Sequence, residues 1–317
     1  MAYIIQKALH KGVLDHFDIQ ILQILTNDAR RSYRGIGIEI GLTSNSVKTR
    51  ILAMVSAGVI QKFLVIISPN VLGYKKECLI IVRNRRQKKN VLNSLKLLGD
   101  VVLEVQSLGG ISAFRLLITN DSEDKIRFLA EAIKPAVVET MFMSGPPKSI
   151  THLSKSDLAI VRCLVTDPRI ESSDIAHKLG ISTRTVTRRL HKMQDTHAVK
   201  FGVLLDPASL RGYILFAVTV NIRDGSYQRI LANIYSDLHE YFLLLPPTLP
   251  QRTITVLFLT KDVFTADMIL EKIESYDGVK QAELFLPTKI ILDQLYQLKY
   301  IQEVGLKKLS QTLPTKI

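Results

Sequence analysis

The sequence repeats itself, and that limits the possible architecture more than any single motif does. Asp18-Ile19-Gln20-Ile21 returns 139 residues later as Asp157-Leu158-Ala159-Ile160. With no gap, the same offset lays Leu25 on Leu164, Asp28 on Asp167, Arg30 on Arg169, Gly41 on Gly180, Arg50 on Arg189 and Met54 on Met193. After one compensated slip it also pairs Gly73-Tyr74 with Gly212-Tyr213. Register kept over this distance means two copies of one plan, and 317 residues suffice to bury a separate core in each.

Within each copy the hydrophobic period switches from helical to alternating, which divides a helical front from an α/β rear. In the first copy the pattern predicts a helix over residues 15–27, with Ile21, Leu22 and Leu25 as its apolar stripe and Asp15 or Asp18 at its positive end. A second helix over 32–40 stops at Gly41, which tolerates the left-handed conformation of a tight exit. A third begins at Thr43 or Ser44, whose hydroxyl can cap it, and turns Val47, Ile51 and Met54 inward. Three helices with a glycine turn before the third describe a helix-turn-helix. Residues 59–67 then read as strand, broken at Ser68-Pro69-Asn70, and are expected to form a small β-wing. The second copy follows suit, with helices over 154–166 and 172–179, a third capped by Ser182, and a wing over 199–205.

The rear of the first copy reads as strand 76–83, helix 89–98, strands 101–108 and 112–119, helix 123–133 and strand 137–143. That of the second reads as strand 213–222, helix 226–238, strands 241–245 and 253–259, helix 263–276 and strand 279–286. This βαββαβ order is the ferredoxin-like arrangement, an antiparallel sheet with helices on one face. The bare face needs a cover, and the other copy's sheet is the expected partner. Beyond the repeat, Ile291, Leu295, Leu298, Val304, Leu306 and Leu309 suggest an amphipathic helix over 290–309 that packs on the second sheet domain. The expected fold is α+β: winged helix-turn-helix domains at 1–73 and 149–211, ferredoxin-like βαββαβ domains at 74–148 and 212–289, and a C-terminal helix at 290–317.

Charge narrows the partners. A formal net charge of +13 favours polyanions, because a basic surface gains from releasing counterions condensed on phosphate backbones. No apolar run reaches the roughly 20 residues a membrane span needs, and the first 14 residues lack the charged-then-apolar order of a secretion signal. A cytoplasmic location is therefore expected. Cys78 and Cys163 sit in apolar stretches without ligand spacing and read as small buried hydrophobes. The seven histidines are scattered, and no phosphate-cradling glycine loop, nucleophile elbow or metal spacing occurs. No catalytic residue, cofactor or metal is expected.

On the first copy's third helix, Ser44, Asn45, Lys48 and Thr49 lie opposite the inward stripe and offer hydrogen bonds to bases or phosphates. The second copy offers Thr183, Arg184, Thr185, Thr187 and Arg188, a face richer in cations and in guanine-reading groups. Each set also fits the plain solvated side of an amphipathic helix; two aligned copies after a helix and a glycine turn favour double-stranded DNA. Arg50 and Arg189 occupy equivalent places at the core edge, where a phosphate contact and an ion pair with an aspartate of the first helix are both open. The basic loop at 83–89 reads as a solvated turn or as an accessory phosphate contact.

Taken together, Asp28-Ala29-Arg30, Gly41-Leu42-Thr43, Val47-Lys48-Thr49-Arg50-Ile51, Gly58-Val59-Ile60 and Pro69-Asn70-Val71-Leu72-Gly73-Tyr74 resemble the Lrp/AsnC, or feast/famine, transcription regulators. Leu179-Gly180-Ile181-Ser182 and Val186-Thr187-Arg188-Arg189-Leu190 carry the resemblance through the second copy. Ordinary members have one unit per chain and pair through their sheet domains, so the resemblance implies a covalent pseudo-dimer whose two unlike recognition helices read two half-sites. It also implies self-association through the sheet domains. Members often bind an amino acid near a loop carrying Gly and then Asp. Here Gly109-Gly110-Ile111-Ser112 has Ser in the Asp position, and Pro246-Pro247-Thr248-Leu249-Pro250 has no Gly. The ligand candidates are then Gly109, Gly110 and Ser112, without the carboxylate that would hold an ammonium, and an effector is left open.

Two other readings share the plan. Sirohaem decarboxylases look like the same unit in fused pairs, but they resemble one another through His-, Arg- and Trp-bearing strands. This chain has no Trp, and residues 101–119 and 241–260 hold no His to protonate a tetrapyrrole carboxylate. An architectural protein that coats DNA with little sequence preference is the other, separable by the ratio of specific to random binding.

Overall fold

The computed structural model describes residues 13–83, 88–118, 133–134, 136–144, 153–244, 253–294 and 296–298. Most of the helix expected over 123–133, most of the basic loop, the proline-rich loop at 246–250 and the chain after 298 lie outside the described residues.

The front of the first unit is α1 (His16–Asn27), α2 (Tyr33–Ile40) and α3 (Ser44–Ser56). Each start has a local cause. Asp15 caps α1, accepting from the Asp18 amide while the Asp18 carboxylate accepts from the Asp15 amide. Ser32 and Thr43 cap α2 and α3 through the Gly35 and Ser46 amides. Between α2 and α3 the backbone turns at Gly41, φ +75°, a left-handed conformation that favours glycine. The second unit repeats this as α5 (Lys155–Thr166), α6 (Ser172–Leu179) and α7 (Thr183–Asp195), with a Ser154–Asp157 capping box, Gly180 at φ +64° and Ser182 capping α7.

The rear of the first unit is β2 (Lys76–Arg83), α4 (Lys88–Lys96), β3 (Asp100–Ser107), β4 (Ile111–Ile118) and β5 (Val137–Ser144). That of the second is β7 (Ile214–Ile222), α8 (Tyr227–Leu238), β8 (Phe242–Leu244), β9 (Thr253–Thr260), α9 (Val263–Glu274) and β10 (Val279–Phe285). The strand orders β3-β4-β2-β5 and β8-β9-β7-β10 are the same ferredoxin-like order, all antiparallel. Alternation fixes the helix-covered faces: Ile80 and Phe114 pack with Val91 and Leu95, and Phe216, Val218 and Phe258 pack with Ile230 and Ile269.

The wing departs from the sequence expectation. β1 (Ile60–Ile67) and β6 (Val199–Leu205) do not form hairpins within their own modules; they pair with each other as an antiparallel two-stranded ribbon. Leu64 faces Gly202 and Phe63 faces Val203, and a shift of 139 residues turns one pair into the other. The ribbon therefore carries a local pseudo-twofold axis between the units. It also exchanges core material. Leu205 and Leu210 of the second unit close the core of Leu22, Ile36 and Ile51, while Val65, Ile67 and Leu72 of the first close that of Val161, Ile175 and Leu190.

Part of the second sheet's cover is also unexpected. Leu215, Leu243 and Leu259 pack into the first helical core, and the Gln23 amide donates to the carbonyls of Glu240 and Phe242 at 3.1 and 2.9 Å. The first helical module thus docks on the second unit's sheet.

The C-terminal segment corrects the helix expected from residue 290. Pro287–Leu292 is a strand, β11, which leaves the second sheet's β10 and adds to β3 at the edge of the first sheet. An unpaired edge is a poor place to stop, and Ile290 opposite Val105 satisfies it. Just beyond, the Gln297 side-chain oxygen accepts from the Ile67 amide and the Gln294 amide donates to the Val65 carbonyl, so the same segment holds the ribbon.

Candidate nucleic-acid interface

The capping, the glycine turn and the buried stripe together decide which side of each third helix meets solvent. Val47, Ile51 and Met54 are buried on α3, and Val186, Leu190 and Met193 on α7. Ser44, Asn45 and Lys48 are therefore exposed on α3, and Thr183, Arg184, Thr187 and Arg188 on α7, as the sequence reading places them. Thr49 and Thr185 are half-buried and locally engaged: the Thr49 hydroxyl donates to the Asn45 carbonyl at 2.9 Å, and the Thr185 hydroxyl lies 2.9 Å from that of Ser182. Neither is as free to reach outward as its neighbours.

Arg50 and Arg189 resolve to the ion-pair alternative. Arg50 is 7 % exposed and its Nη1 lies 2.8 Å from Asp18 Oδ1 and 2.9 Å from Asp15 Oδ2. Arg189 Nη1 lies 2.9 Å from Asp157 Oδ1 and 3.0 Å from the Ser154 hydroxyl. The two arrangements are counterparts under the repeat offset. Both arginines tie the third helix to the N-terminus of the first and so orient the exposed face, and Arg50, being buried, is corrected out of the nucleic-acid set. Burial pushes the Asp157 carboxyl up, but the Ser154 hydroxyl and amide together with Arg189 outweigh it and hold the group below its usual range.

The exposed face of α7 continues past the residues singled out from the sequence, through His191 and Lys192. Lys192 lies one turn beyond Arg188, so helical spacing already pointed to it. At the matching places α3 has Leu52 and Ala53.

The effector candidates sit elsewhere. Gly109 and Gly110 both have positive φ, +75° and +77°, in the tight turn between β3 and β4. Ser112, at the start of β4, is buried and its hydroxyl has no hydrogen-bond partner among the described residues. The turn is tied to the second unit through the Leu108 amide, which donates to the Leu286 carbonyl at 2.9 Å. Cys78 is buried on the first sheet, where burial pushes its thiol up to about 12. No helix among the described residues is long and apolar enough to cross a membrane.

Comparison with known proteins matches an AsnC-type helix-turn-helix domain at residues 14–55 and again at 153–194, the two helical modules described above. The chain is 35% identical over 126 residues to the HTH-type transcriptional regulator Ptr1 of Methanocaldococcus jannaschii, which spans 39% of this chain and 85% of that protein. It is 28% identical over 123 residues to the regulatory protein AsnC of Haemophilus influenzae, covering 38% of this chain and 82% of that one. Each alignment is about one unit long. Among solved structures, that of the siroheme decarboxylase NirDL resembles it with a TM-score of 0.50 at 15% identity, over 93% of this chain and all of that one. At that identity the likeness is one of fold.

Proposed function

Because the chain belongs to the AsnC-type, or Lrp/AsnC, family of helix-turn-helix transcription regulators, we propose that it binds operator DNA as a covalent pseudo-dimer, with α3 and α7 in successive major grooves. The observation that carries this reading is the pairing of β1 with β6: it joins the two helical modules about a pseudo-twofold axis, as half-sites on a duplex require. Half-sites would lie one helical turn or a multiple apart, about 34–36 Å centre to centre.

In this reading Ser44, Asn45, Lys48, Thr183, Arg184, Thr187 and Arg188 contact bases and phosphates, with Thr49 and Thr185 at the margin. The protein acts in the cytoplasm, as a regulator rather than an enzyme, and self-associates further through its ferredoxin-like domains. Any effector would meet the first unit at Gly109, Gly110 and Ser112.

The test is fluorescence anisotropy of the full chain on the DNA upstream of its own coding region and on random DNA of equal length, over a salt series. Tighter binding upstream that persists at higher salt supports the reading. Equal, steeply salt-sensitive binding to both would replace it with an architectural role, and binding to neither would reopen tetrapyrrole chemistry.

A further inference from the structure

We propose that the two third helices read base pairs of opposite class, α3 a half-site of A·T pairs and α7 a half-site of G·C pairs, so that the cognate operator is asymmetric. The proposal rests on the DNA-binding reading above and deepens it.

The observation is a substitution pattern across the repeat. Three large apolar side chains on the helices of the first module are open to solvent: Ile38 at 75 %, Leu52 at 54 % and Val55 at 40 %. Their counterparts in the second module, 139 residues on, are His177, His191 and Gln194. Single exposed aliphatic residues are ordinary and need no explanation. Three that fall where the twin module is polar, two of them on the third helix, mark a surface whose chemistry has diverged.

Helical spacing puts Leu52 on the face that carries Asn45 and Lys48, opposite Val47, Ile51 and Met54. In the major groove Asn pairs bidentately with adenine N6 and N7, and an aliphatic side chain packs on the thymine methyl. Asn45 and Leu52 are thus two readers of A·T pairs on one stripe. On α7 the same two places hold Arg184 and His191, and Arg188 stands between them. Arginine pairs bidentately with guanine O6 and N7. Both arginines are exposed and have no ion-pair partner among the described residues, unlike Arg50 and Arg189. With Lys48, whose counterpart on α7 is Thr187, assigned to a phosphate, the duplicated scaffold keeps one docking geometry while its base-reading groups have parted into an amide-and-methyl pair and a guanidinium pair.

The experiment is selection of binding duplexes from a random pool with the full chain, followed by atom-level substitution in the recovered site. Two unlike half-sites are expected, one A·T-rich and one containing guanines. Replacing thymine by uracil in the first half removes only a methyl, and should weaken binding about fourfold for the wild type, the worth of one buried methyl-sized group. The same replacement should be without effect on Leu52→Ala. Replacing guanine by 7-deazaguanine in the second half removes N7, and should weaken the wild type while leaving Arg184→Ala/Arg188→Ala unchanged. A palindromic consensus, or a uracil effect that persists in Leu52→Ala, overturns the proposal and leaves DNA binding standing. Recovery of no preferred sequence overturns both.

Discussion

Arg30 and Arg169 reach across the seam between the two units and grip each other's chain at equivalent places. Arg30 donates to the carbonyls of Pro168 and Ile170 at 2.8 and 2.9 Å, and Arg169 donates to those of Ala29 and Arg31 at 2.6 and 3.5 Å. The repeat offset converts each set into the other. The guanidiniums also rest on aromatic faces, Arg30 on Phe201 and Arg169 on Tyr33 and Phe63. With the β1–β6 ribbon they fix the relative placement of the two helical modules.

Arg30→Ala should therefore destabilise the chain by roughly 1.5–3 kcal/mol, the usual worth of hydrogen bonds made by a charged group. Arg169→Ala should do the same, and the double variant should lose less than the sum, since the two sites share one seam. Urea denaturation followed by circular dichroism checks this; a fully additive pair of losses would mean that the two grips act independently.

Removing Arg50 leaves the buried Asp18 carboxylate without its main partner. Arg50→Ala should cost roughly 3–5 kcal/mol, the range for breaking a buried ion pair from one side. Adding Asp18→Asn should recover part of that. Arg189→Ala should cost less, because its pair is more open to solvent. Thermal unfolding ranks the three variants, and equal losses at Arg50 and Arg189 would contradict the difference in burial.

Acid should weaken the second helical module through Asp157. Its folded carboxyl lies below the ordinary value of 3.8, so the stability it supplies is fully present above that value and is lost as pH falls through the lower folded one. The stability difference between wild type and Asp157→Asn should shrink between about pH 5 and pH 2. Denaturant titrations across that window test it, and a constant difference would remove the ion pair from the account.

β11 should protect the edge of the first sheet. Ile290→Pro takes an N–H out of the strand that covers β3, so amide exchange across residues 100–107 should quicken while β7 and β9 stay protected. Unchanged exchange at β3 would mean the edge is stable without its cover.

Much of this architecture was legible from local signals. The Thr43 and Ser182 caps and the glycine turns at Gly41 and Gly180 each rest on residues within one or two turns of one another, while the repeat offset and the βαββαβ order are patterns that run along the chain itself. What escaped is long-range. Alternation in residues 60–67 announces a strand but cannot name its partner, which lies across the seam at 199–205. Residues 290–292 form a short apolar run compatible with either period, and only the open edge of β3 decides for strand. Arg50 and Arg189 stand at the margin between the buried and exposed sides of their helices, where spacing alone left both alternatives open. Arg184 and Arg188 lie far from that margin, and their exposure follows directly from the stripe.

The most direct test of the central claim is hydroxyl-radical footprinting of the full chain on a duplex it binds specifically, at one chain per site. Two separate patches of protection are expected, spaced by one helical turn or a multiple, with Arg184→Ala/Arg188→Ala erasing one and leaving the other. A single patch, or loss of both patches together in that variant, would contradict a pseudo-dimer that reads DNA through both of its third helices.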